Sequence, residues 1–351
     1  MLVLWFFSAA AEAEEFTEDV ERDFPLRTIG RLQVTNLRGG IEIHGWSLDK
    51  IRIRARRKAT APSREDAARI FASTDFRYRE IEGDIELSAE YGKGLDINQR
   101  LKENAEKRSS MEMVVYAPTG LKLRLWTAGG FAKIRNWTAA VEARTATGGI
   151  DIEGVRSEVS LLCTGCKVRA VDVRGPLRCM GGTGDVAISS VVADNVYVET
   201  SSGSQQIDNV TGDQLYVSKS GRIQAHKIRG HIEFHAGSGA VTITEGSGFL
   251  SGRSESADIS ASMKFWKFED RAIIESVRGN VLLALPAGLS ADVELFSEKG
   301  MVSSAFKVLP SRYRKSFGPD PANHIIGHIG EGGEQLRLSS QHGAVKLLRG
   351  G

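Results

Sequence analysis

The feature that most constrains this chain is an internal repeat of about 18 residues. One unit reads apolar-x-apolar-x-small, two corner residues, Gly, one further residue, and then apolar-x-apolar. Strict alternation of this kind indicates a half-buried β-strand rather than a helix, and Gly gives a sharp corner the backbone freedom that it needs. The units that fit this frame throughout are Val141–Ile152, Leu177–Ile188 and Ile232–Ile243.

The same frame extends with small defects over most of the chain. Central units start at 141, 159, 177, 196, 215, 232 and 250, which lie 17 to 19 residues apart. Two units depart in length: Leu215–Ala225 is one residue short, which turns Lys219 inward, and Leu121–Ile134 is one residue too long. Further units start at Leu32, Val159, Val196, Leu250, Ala272, Val293 and Leu336.

A third apolar element closes several units. Its residues are Val155, Val173, Val191, Val210 and Ile228. Two or three short strands cannot bury their inner face alone, so successive units must stack. We therefore predict an all-β fold: a single-chain β-solenoid, similar to a parallel β-helix, of about ten coils of ~18 residues. Each coil would rise by one inter-strand spacing of ~4.8 Å.

Segments that do not fit the frame interrupt the coils. Ser63–Ser73 predicts a short helix that Ser63 caps, and Phe76–Tyr91 predicts a strand pair around Glu82–Asp84. The predicted divisions are a lead-in over 14–31, a first coil with the inserted helix and hairpin over 32–120, solenoid repeats over 121–304, and an excursion loop with a C-terminal capping coil over 305–351.

The N-terminal residues predict export. Leu2–Ala10 is an apolar run of signal-peptide length that is too short to span a bilayer. Small residues at Ala11 and Ala13 place the cleavage site near Ala13, so residues 1–13 are a predicted signal peptide. A buried N-terminal strand is the alternative. We expect a protein of the periplasm or the cell surface, without a transmembrane segment in the mature chain.

The charge balance disfavours nucleic acid as a partner. The chain has 46 Lys and Arg against 44 Asp and Glu, a formal net charge of +2. Basic residues do cluster in one strip, at Arg52, Arg54, Arg56, Arg57 and Lys58. This strip favours either an affinity for anionic envelope polymer or an edge strand that resists aggregation.

The three cysteines leave three interpretations open. Cys163, Cys166 and Cys179 fall at apolar or corner places of the frame, which is typical of buried small hydrophobic residues. In an exported protein, Cys163 and Cys166 can instead close a local disulfide. A metal site is the third interpretation, but no histidine or fourth cysteine stands at ligand spacing nearby.

No catalytic constellation stands out. Solenoid enzymes that cleave acidic polysaccharides group carboxylates on one outer face, whereas the acids here are scattered over corners, where Asp is common. They are Asp151, Asp172, Asp185, Asp194, Asp208, Asp213 and Asp258. The histidines lack flanking carboxylates that would support a metal site. We predict no cofactor, no metal and no catalysis.

The outward positions predict a binding face. One strand higher each time, the first outward residues read Glu142, Ser160, Arg178, Tyr197, Tyr216 and Glu233. Tyr197 and Tyr216 are therefore predicted to stack as a ladder that Glu199 and His235 flank. Exposed aromatic rings on a rigid sheet can bind sugar rings or a partner protein. A cross-strand pair that only stabilises the sheet is the alternative.

The order of these features resembles a known family. The Gly-corner repeat is preceded by Val115–Leu123 (VYAPTGLKL), followed by Ala284–Val293 (ALPAGLSADV), and closed by Gly327–Leu347. Together they resemble the bacterial β-strand-repeat family named "putative adhesin", over about Leu32–Leu347. The resemblance implies an envelope-associated β-solenoid and carries over no catalytic residues.

The sequence thus predicts an exported, adhesin-like binding or scaffolding protein of the cell envelope. Its expected partner is an envelope polysaccharide or a surface protein. One alternative is a polysaccharide-acting β-helix enzyme, which requires a carboxylate cluster once the coils are superposed. The other is a purely structural envelope protein.

Overall fold

The structure is a computed structural model that describes residues 13–26, 30–94, 109–268, 271–310 and 323–350. Within these residues it holds 26 strands in one open sheet and a single helix, and it has no helix long and apolar enough to cross a membrane. The predicted signal peptide, apart from Ala13, lies outside the described residues, as do 95–108 and most of the predicted excursion loop.

Short strands alternate with tight corners along the whole chain. In the first half they are β1 (Glu14–Pro25), β2 (Arg31–Asn36), β3 (Ile41–Trp46), β4 (Lys50–Ala61), β5 (Thr74–Ile81), β6 (Asp84–Tyr91), β7 (Ser109–Pro118), β8 (Lys122–Thr127), β9 (Phe131–Trp137), β10 (Val141–Thr145), β11 (Gly149–Val155), β12 (Val159–Cys163) and β13 (Lys167–Arg174).

In the second half they are β14 (Leu177–Gly181), β15 (Val186–Thr200), β16 (Gln205–Ser218), β17 (Ile223–Ala236), β18 (Val241–Ser254), β19 (Ile259–Trp266), β20 (Ala272–Ser276), β21 (Val281–Pro286), β22 (Ala291–Ser297), β23 (Val302–Ser304), β24 (His324–Ile329), β25 (Gln335–Ser340) and β26 (Val345–Gly350). The helix α1 spans Arg64–Ala72, between β4 and β5.

Successive units stack in register as two long parallel ladders. The first ladder runs β6, β2, β8, β10, β12, β14, β15, β16, β17, β18, β20, β25, β22. The second runs β7, β3, β9, β11, β13, β15, β16, β17, β18, β19, β21, β26, β23. The strands from β15 to β18 are long enough to enter both ladders. The predicted stack of parallel β-coils is confirmed, and the apolar positions of the repeat form its core.

A third side closes several coils, as the sequence predicts. The column Val155, Val173, Val191, Val210 and Ile228 is fully buried. The residue before each of these turns the chain with a positive φ, near +52° to +55° at Asp172, Ser190, Asn209 and Lys227. A single left-handed residue therefore turns the chain from the second ladder into the third side.

The corner glycines are required by close approach. Neither Gly203 nor Gly221 has a positive φ. A Cβ on Gly203 would lie 1.9 Å from the carbonyl oxygen of Gly184, and one on Gly221 would lie 2.0 Å from that of Gly203. At these two corners glycine is required because the stacked corner backbones leave no room for a side chain. The expected backbone freedom is needed at the corners Gly39 and Gly148, whose φ angles are +109° and +103°.

The small residue before each corner is usually a buried hydroxyl. Its oxygen accepts a hydrogen bond from the backbone N–H three residues later. Such bonds join Ser254 to Ala257 (2.6 Å), Ser276 to Gly279 (2.9 Å) and Ser340 to Gly343 (2.9 Å). The hydroxyl thus satisfies a corner donor that the ladders leave unpaired.

Two units begin elsewhere than the sequence predicts. Gln214, not Leu215, pairs with Val196 and is buried, so the unit has its full length and Lys219 lies exposed at the corner. Likewise Leu123, not Leu121, pairs with Val141. In both units the prediction chose the wrong first inward residue; at Gln214 the reason is that a polar side chain occupies an apolar place.

At both ends of the array, the coils do not stack in the order of the chain. At the C-terminal end, β25 and β26 lie between the coil of β20 and β21 and the coil of β22 and β23. The prediction that the last coil of the sequence caps the solenoid is therefore wrong, since β22 is covered instead by the antiparallel β24. At the N-terminal end, β2 and β3 are enclosed in the same way, between β6 and β7 on one side and β8 and β9 on the other.

The helix and the hairpin at the N-terminal end are confirmed. Ser63 caps α1 by accepting a hydrogen bond from the N–H of Asp66 (3.1 Å), and β5 pairs with β6 in antiparallel register.

The basic strip is not an edge strand, because β4 lies between β7 and β1. Its arginines face the acidic residues of β1 directly across the strands. The pairs are Arg52 with Asp23 (2.7 Å), Arg54 with Glu21 (2.9 Å) and Arg56 with Asp19 (2.8 Å). The strip therefore holds β1 in place, and its interpretation as an edge strand is wrong. The affinity for anionic envelope polymer stays a prediction.

Candidate functional site

The predicted tyrosine ladder does not form. Tyr197 points outward and is partly exposed, but Tyr216 is 0% exposed and lies inside the coil. In the parallel register Tyr197 pairs with Leu215, and Tyr216 pairs with Val198. The cause is the start of this unit at Gln214, because a shift of one residue turns every side chain of a strand to its other face.

The outer face of the first ladder still carries three of the predicted residues. The phenol of Tyr197 donates a hydrogen bond to Glu199 (2.6 Å), and the guanidinium of Arg178 lies 4.9 Å from the ring centroid. Burial, and then the hydrogen bond to the Glu199 carboxylate, raises the pKa of the Tyr197 phenol. These contacts fix the ring on the surface.

His235 lies two coils further along the same face. Its Nε2 is 2.9 Å from the carboxylate of Glu233. Between the two polar pairs, the intervening coil presents Leu215 and Val217, both partly exposed. The face therefore alternates between polar and apolar side chains along the axis of the array.

A groove of about 750 Å³ begins at this point. Its floor is the row Val217, His235, Arg253, Glu275, Ser339 and Phe296, in which each residue pairs with the next one in register. Arg337, on the same strand as Ser339, also lines the groove, with its Nε 3.9 Å from a Glu294 oxygen. We name this surface the first-ladder groove.

Sequence reasoning missed Arg253, Glu275 and Phe296. The signal for Arg253 and Glu275 was present, because each occupies the same outward place in its unit as His235. The position of Phe296 in this row could not be predicted from the sequence, because it depends on the insertion of β25 between β20 and β22.

The other candidates for chemistry are dispersed. His226 lies on the second ladder and His235 on the first, and Asp151 is held by Arg135 (2.8 Å) and Arg169 (2.9 Å). In the described parts of the chain, no group of three or more His, Cys, Asp or Glu side chains is arranged to hold a metal ion.

All three cysteines are buried. The sulfur atoms of Cys163 and Cys166 lie within bonding distance across their corner, and the N–H of Cys166 is 2.9 Å from Cys163 Sγ. Cys163 thus takes the place of the corner hydroxyls, and the local disulfide stays a prediction with which this placement is compatible. Burial raises the pKa of the Cys179 thiol to about 12, which makes it unreactive at neutral pH.

Comparison with known proteins identifies the repeat. Residues 112–348 match the sequence profile of the family described as Toastrack DUF4097, which confirms the predicted resemblance to a β-strand-repeat family. No curated protein matches the chain.

Two solved structures are similar at low identity. A putative cell adhesion protein from Clostridium sporogenes has 10% identity, with 97% of this chain and 100% of that chain covered and a TM-score of 0.20. A putative adhesin from Bacteroides fragilis has 13% identity, with 95% and 97% covered and a TM-score of 0.29. At such scores the shapes superpose poorly, so neither likeness supports an inference about this chain.

Proposed function

The chain belongs to the Toastrack DUF4097 family, a β-rich repeat domain of unknown function, and from this premise we propose that it is a non-catalytic, adhesin-like binding or scaffolding module of the cell envelope. The binding surface is the first-ladder groove, and its partner is a surface protein. The predicted signal peptide accounts for the location. A stack of hydrogen-bonded coils accounts for the scaffold, because every strand inside it is held on two sides.

The observation that carries the proposal is a pair of charges without partners. Arg253 and Glu275 are exposed neighbours in register on the groove floor. Within the described residues, neither makes an ion pair or a hydrogen bond. Elsewhere on the same face, Glu142 pairs with both Arg124 (2.9 Å) and Arg144 (2.6 Å).

The floor of the groove therefore offers one cation, Arg253, and one anion, Glu275, between the apolar side chains of Val217 and Phe296, while Lys219, Glu255 and Arg337 also line the groove. An extended protein segment with an acidic and a basic side chain complements this pattern, and apolar side chains beside them would cover the ends. Complementary charges give such an interface its register and its partner choice, while the buried apolar contacts supply most of the affinity.

The test is retention of the purified protein on cell-envelope fractions, with protein and polysaccharide kept separate. The groove variant is Arg253→Glu/Glu275→Arg, which preserves net charge and reverses the pattern. The matched control is Arg124→Glu/Glu142→Arg, which reverses an existing ion pair on the same face. We expect at least about a fivefold loss of retention on the protein fraction for the groove variant, about 1 kcal/mol, and none for the control.

Three results would contradict the proposal. If the protein is folded and β-rich but is retained on neither fraction, the result favours the alternative of a purely structural envelope protein. If the wild-type protein and both variants are retained equally, the groove is not the binding surface. If the protein is retained on polysaccharide alone, its partner is a polysaccharide and not a surface protein.

A further inference from the structure

We propose that the outer face of the second ladder binds a neutral, extended polysaccharide, a second site separate from the first-ladder groove. The chain of sugars would follow the axis of the array, with about one ring on each coil. We name this surface the amide face. Its residues are Gln206, Asp208, Gln224, His226, Thr242 and Thr244.

The amide face follows directly after a network of ion pairs on the same ladder. In the preceding coils the same two rows hold Arg135, Asp151, Glu153 and Arg169, linked by contacts of 2.8 to 3.8 Å. From the next coil onward, the row that continues from Arg169 reads Ala187, Gln206, Gln224 and Thr242. Along one continuous ladder, this row therefore changes from charged side chains that form ion pairs with each other to uncharged side chains.

The side-chain amides on this face form no hydrogen bonds within the described residues. Gln206 and Gln224 are neighbours in register and both are exposed. Stacked glutamines can bond to each other along a ladder, but within the described residues neither side chain makes a hydrogen bond. Each therefore presents two N–H donors and one carbonyl acceptor outward.

The second row of the face is held in place. His226 Nδ1 lies 3.0 Å from Thr244 Oγ1, and Asp208 adds a carboxylate next to His226 in register. Between the rows lies a hollow of about 510 Å³, within the range of small-molecule sites.

The periodicity of the face points to the ligand class. Neighbouring coils lie ~4.8 Å apart, and a hexopyranose advances an extended β-1,4-linked chain by a similar length. Successive sugars in such a chain present alternating edges, so every second sugar would meet equivalent amide and hydroxyl groups on every second coil. Hydroxyl groups need both donors and acceptors and carry no charge, which is what the Gln and Thr side chains supply. A coiled α-1,4-linked chain does not repeat along a straight line and loses this match.

The probe is cellohexaose, a neutral β-1,4-linked hexamer of glucose, measured by isothermal titration calorimetry against the full chain. Maltohexaose, which has the same composition but α-1,4 linkages, is the ligand control. We expect saturable binding of cellohexaose and at least tenfold weaker binding of maltohexaose. The variant Gln206→Ala/Gln224→Ala should weaken cellohexaose binding at least tenfold. Gln33→Ala/Gln335→Ala, which removes two glutamines elsewhere, should not change it.

Three outcomes would overturn the proposal: no binding of cellohexaose at millimolar concentration, equal binding of both hexamers, or unchanged binding by the Gln206/Gln224 variant. If that variant is less stable in urea, Ala187→Arg, which introduces a charged side chain beside Gln206, replaces it and must also weaken binding. The Arg253/Glu275 groove variant should bind cellohexaose normally, so failure of one site is distinguishable from failure of the other.

Discussion

The inside and the outside of two adjacent coils use tyrosine for opposite purposes. Tyr197 lies on the outer face, where Glu199 and Arg178 hold it while part of its ring stays exposed. Tyr216 lies in the interior, and its phenol donates to Gln214 Oε1 (2.5 Å); burial raises its pKa. The position of a single residue in the repeat therefore decides whether an aromatic ring stabilises the array or is available to a partner.

The largest expected effect separates these two rings directly. Tyr216→Ala should lower the free energy of unfolding by about 3–5 kcal/mol, since it leaves a large cavity in a packed interior. Tyr197→Ala should cost less than about 1 kcal/mol, because its ring is partly solvated. Urea denaturation followed by circular dichroism measures both. Equal losses would mean that the interior placement of Tyr216 is wrong.

The sequence predicts the repeat because alternation reports which side chains point inward, and this works wherever the inward residue is apolar. It fails at Gln214, where an amide takes an inward place and is satisfied by Tyr216 and by the carbonyl of Arg229 (2.9 Å). Its partners Gly212 and Tyr216 lie two residues away, but residue types alone do not show that these groups bond to Gln214, so its burial cannot be recognised from the sequence pattern. The prediction of a tyrosine ladder was wrong because of this one position, since the unit begins at Gln214 and Tyr216 therefore points inward.

The order of coils at the two ends was also beyond the sequence. The pattern in Leu336–Leu347 shows that these residues form a coil, but any coil of matching width offers the same backbone ladder to its neighbours. Their place between β20 and β22 is defined by pairings with strands that lie far apart in the sequence, and periodicity does not report which strands pair. The groove end at Phe296 was missed for this reason.

The second prediction tests how tightly the interior beside Tyr216 is packed. Phe234 pairs with Tyr216 on one side and with Gly252 on the other. A Cβ on Gly252 would lie 2.5 to 2.6 Å from three ring carbons of Phe234. Gly252→Ala should therefore cost about 1–3 kcal/mol through overpacking.

The control for Gly252 is a glycine on the surface. A Cβ on Gly120 would meet no heavy atom within 4 Å among the described residues, so Gly120→Ala should be neutral or slightly stabilising. The same urea titration compares the two. A Gly252→Ala protein as stable as the Gly120→Ala protein would show that the Phe234 ring can move aside, so that the interior beside Tyr216 is loosely packed.

The third prediction concerns the buried hydrogen bond between Tyr216 and Gln214. Tyr216→Phe should cost about 1–2 kcal/mol, because it leaves the Gln214 oxygen buried without a donor. Gln214→Leu combined with Tyr216→Phe should recover most of this loss, since both partners are then apolar. A double-mutant cycle of unfolding free energies measures the coupling. No recovery in the double variant would mean that Gln214 is required for its bonds to the backbone.

The smallest effect belongs to the outer face and depends on pH. Burial tends to raise the pKa of the Asp151 carboxyl, but the hydrogen bonds from Arg135 and Arg169 outweigh it, so its pKa lies below the usual value. A lowered pKa in the folded state contributes stability above the unfolded pKa of 3.8, and this contribution is lost as the pH falls through the folded value. Asp151→Asn should therefore cost less than about 1 kcal/mol at pH 7, because the pair is partly solvated.

The gap between the wild-type protein and Asp151→Asn should then close as the pH falls from 7 towards 3. Asp213→Asn is the control, since Asp213 is exposed and makes no ion pair within the described residues; its gap should stay near zero throughout. Urea midpoints at the two pH values decide the matter. A gap for Asp151→Asn that does not narrow at all between pH 7 and pH 3 would mean that its side chain stabilises the coil by packing, as an interior residue does, and the contrast between the two faces of the strand would be smaller than the geometry implies.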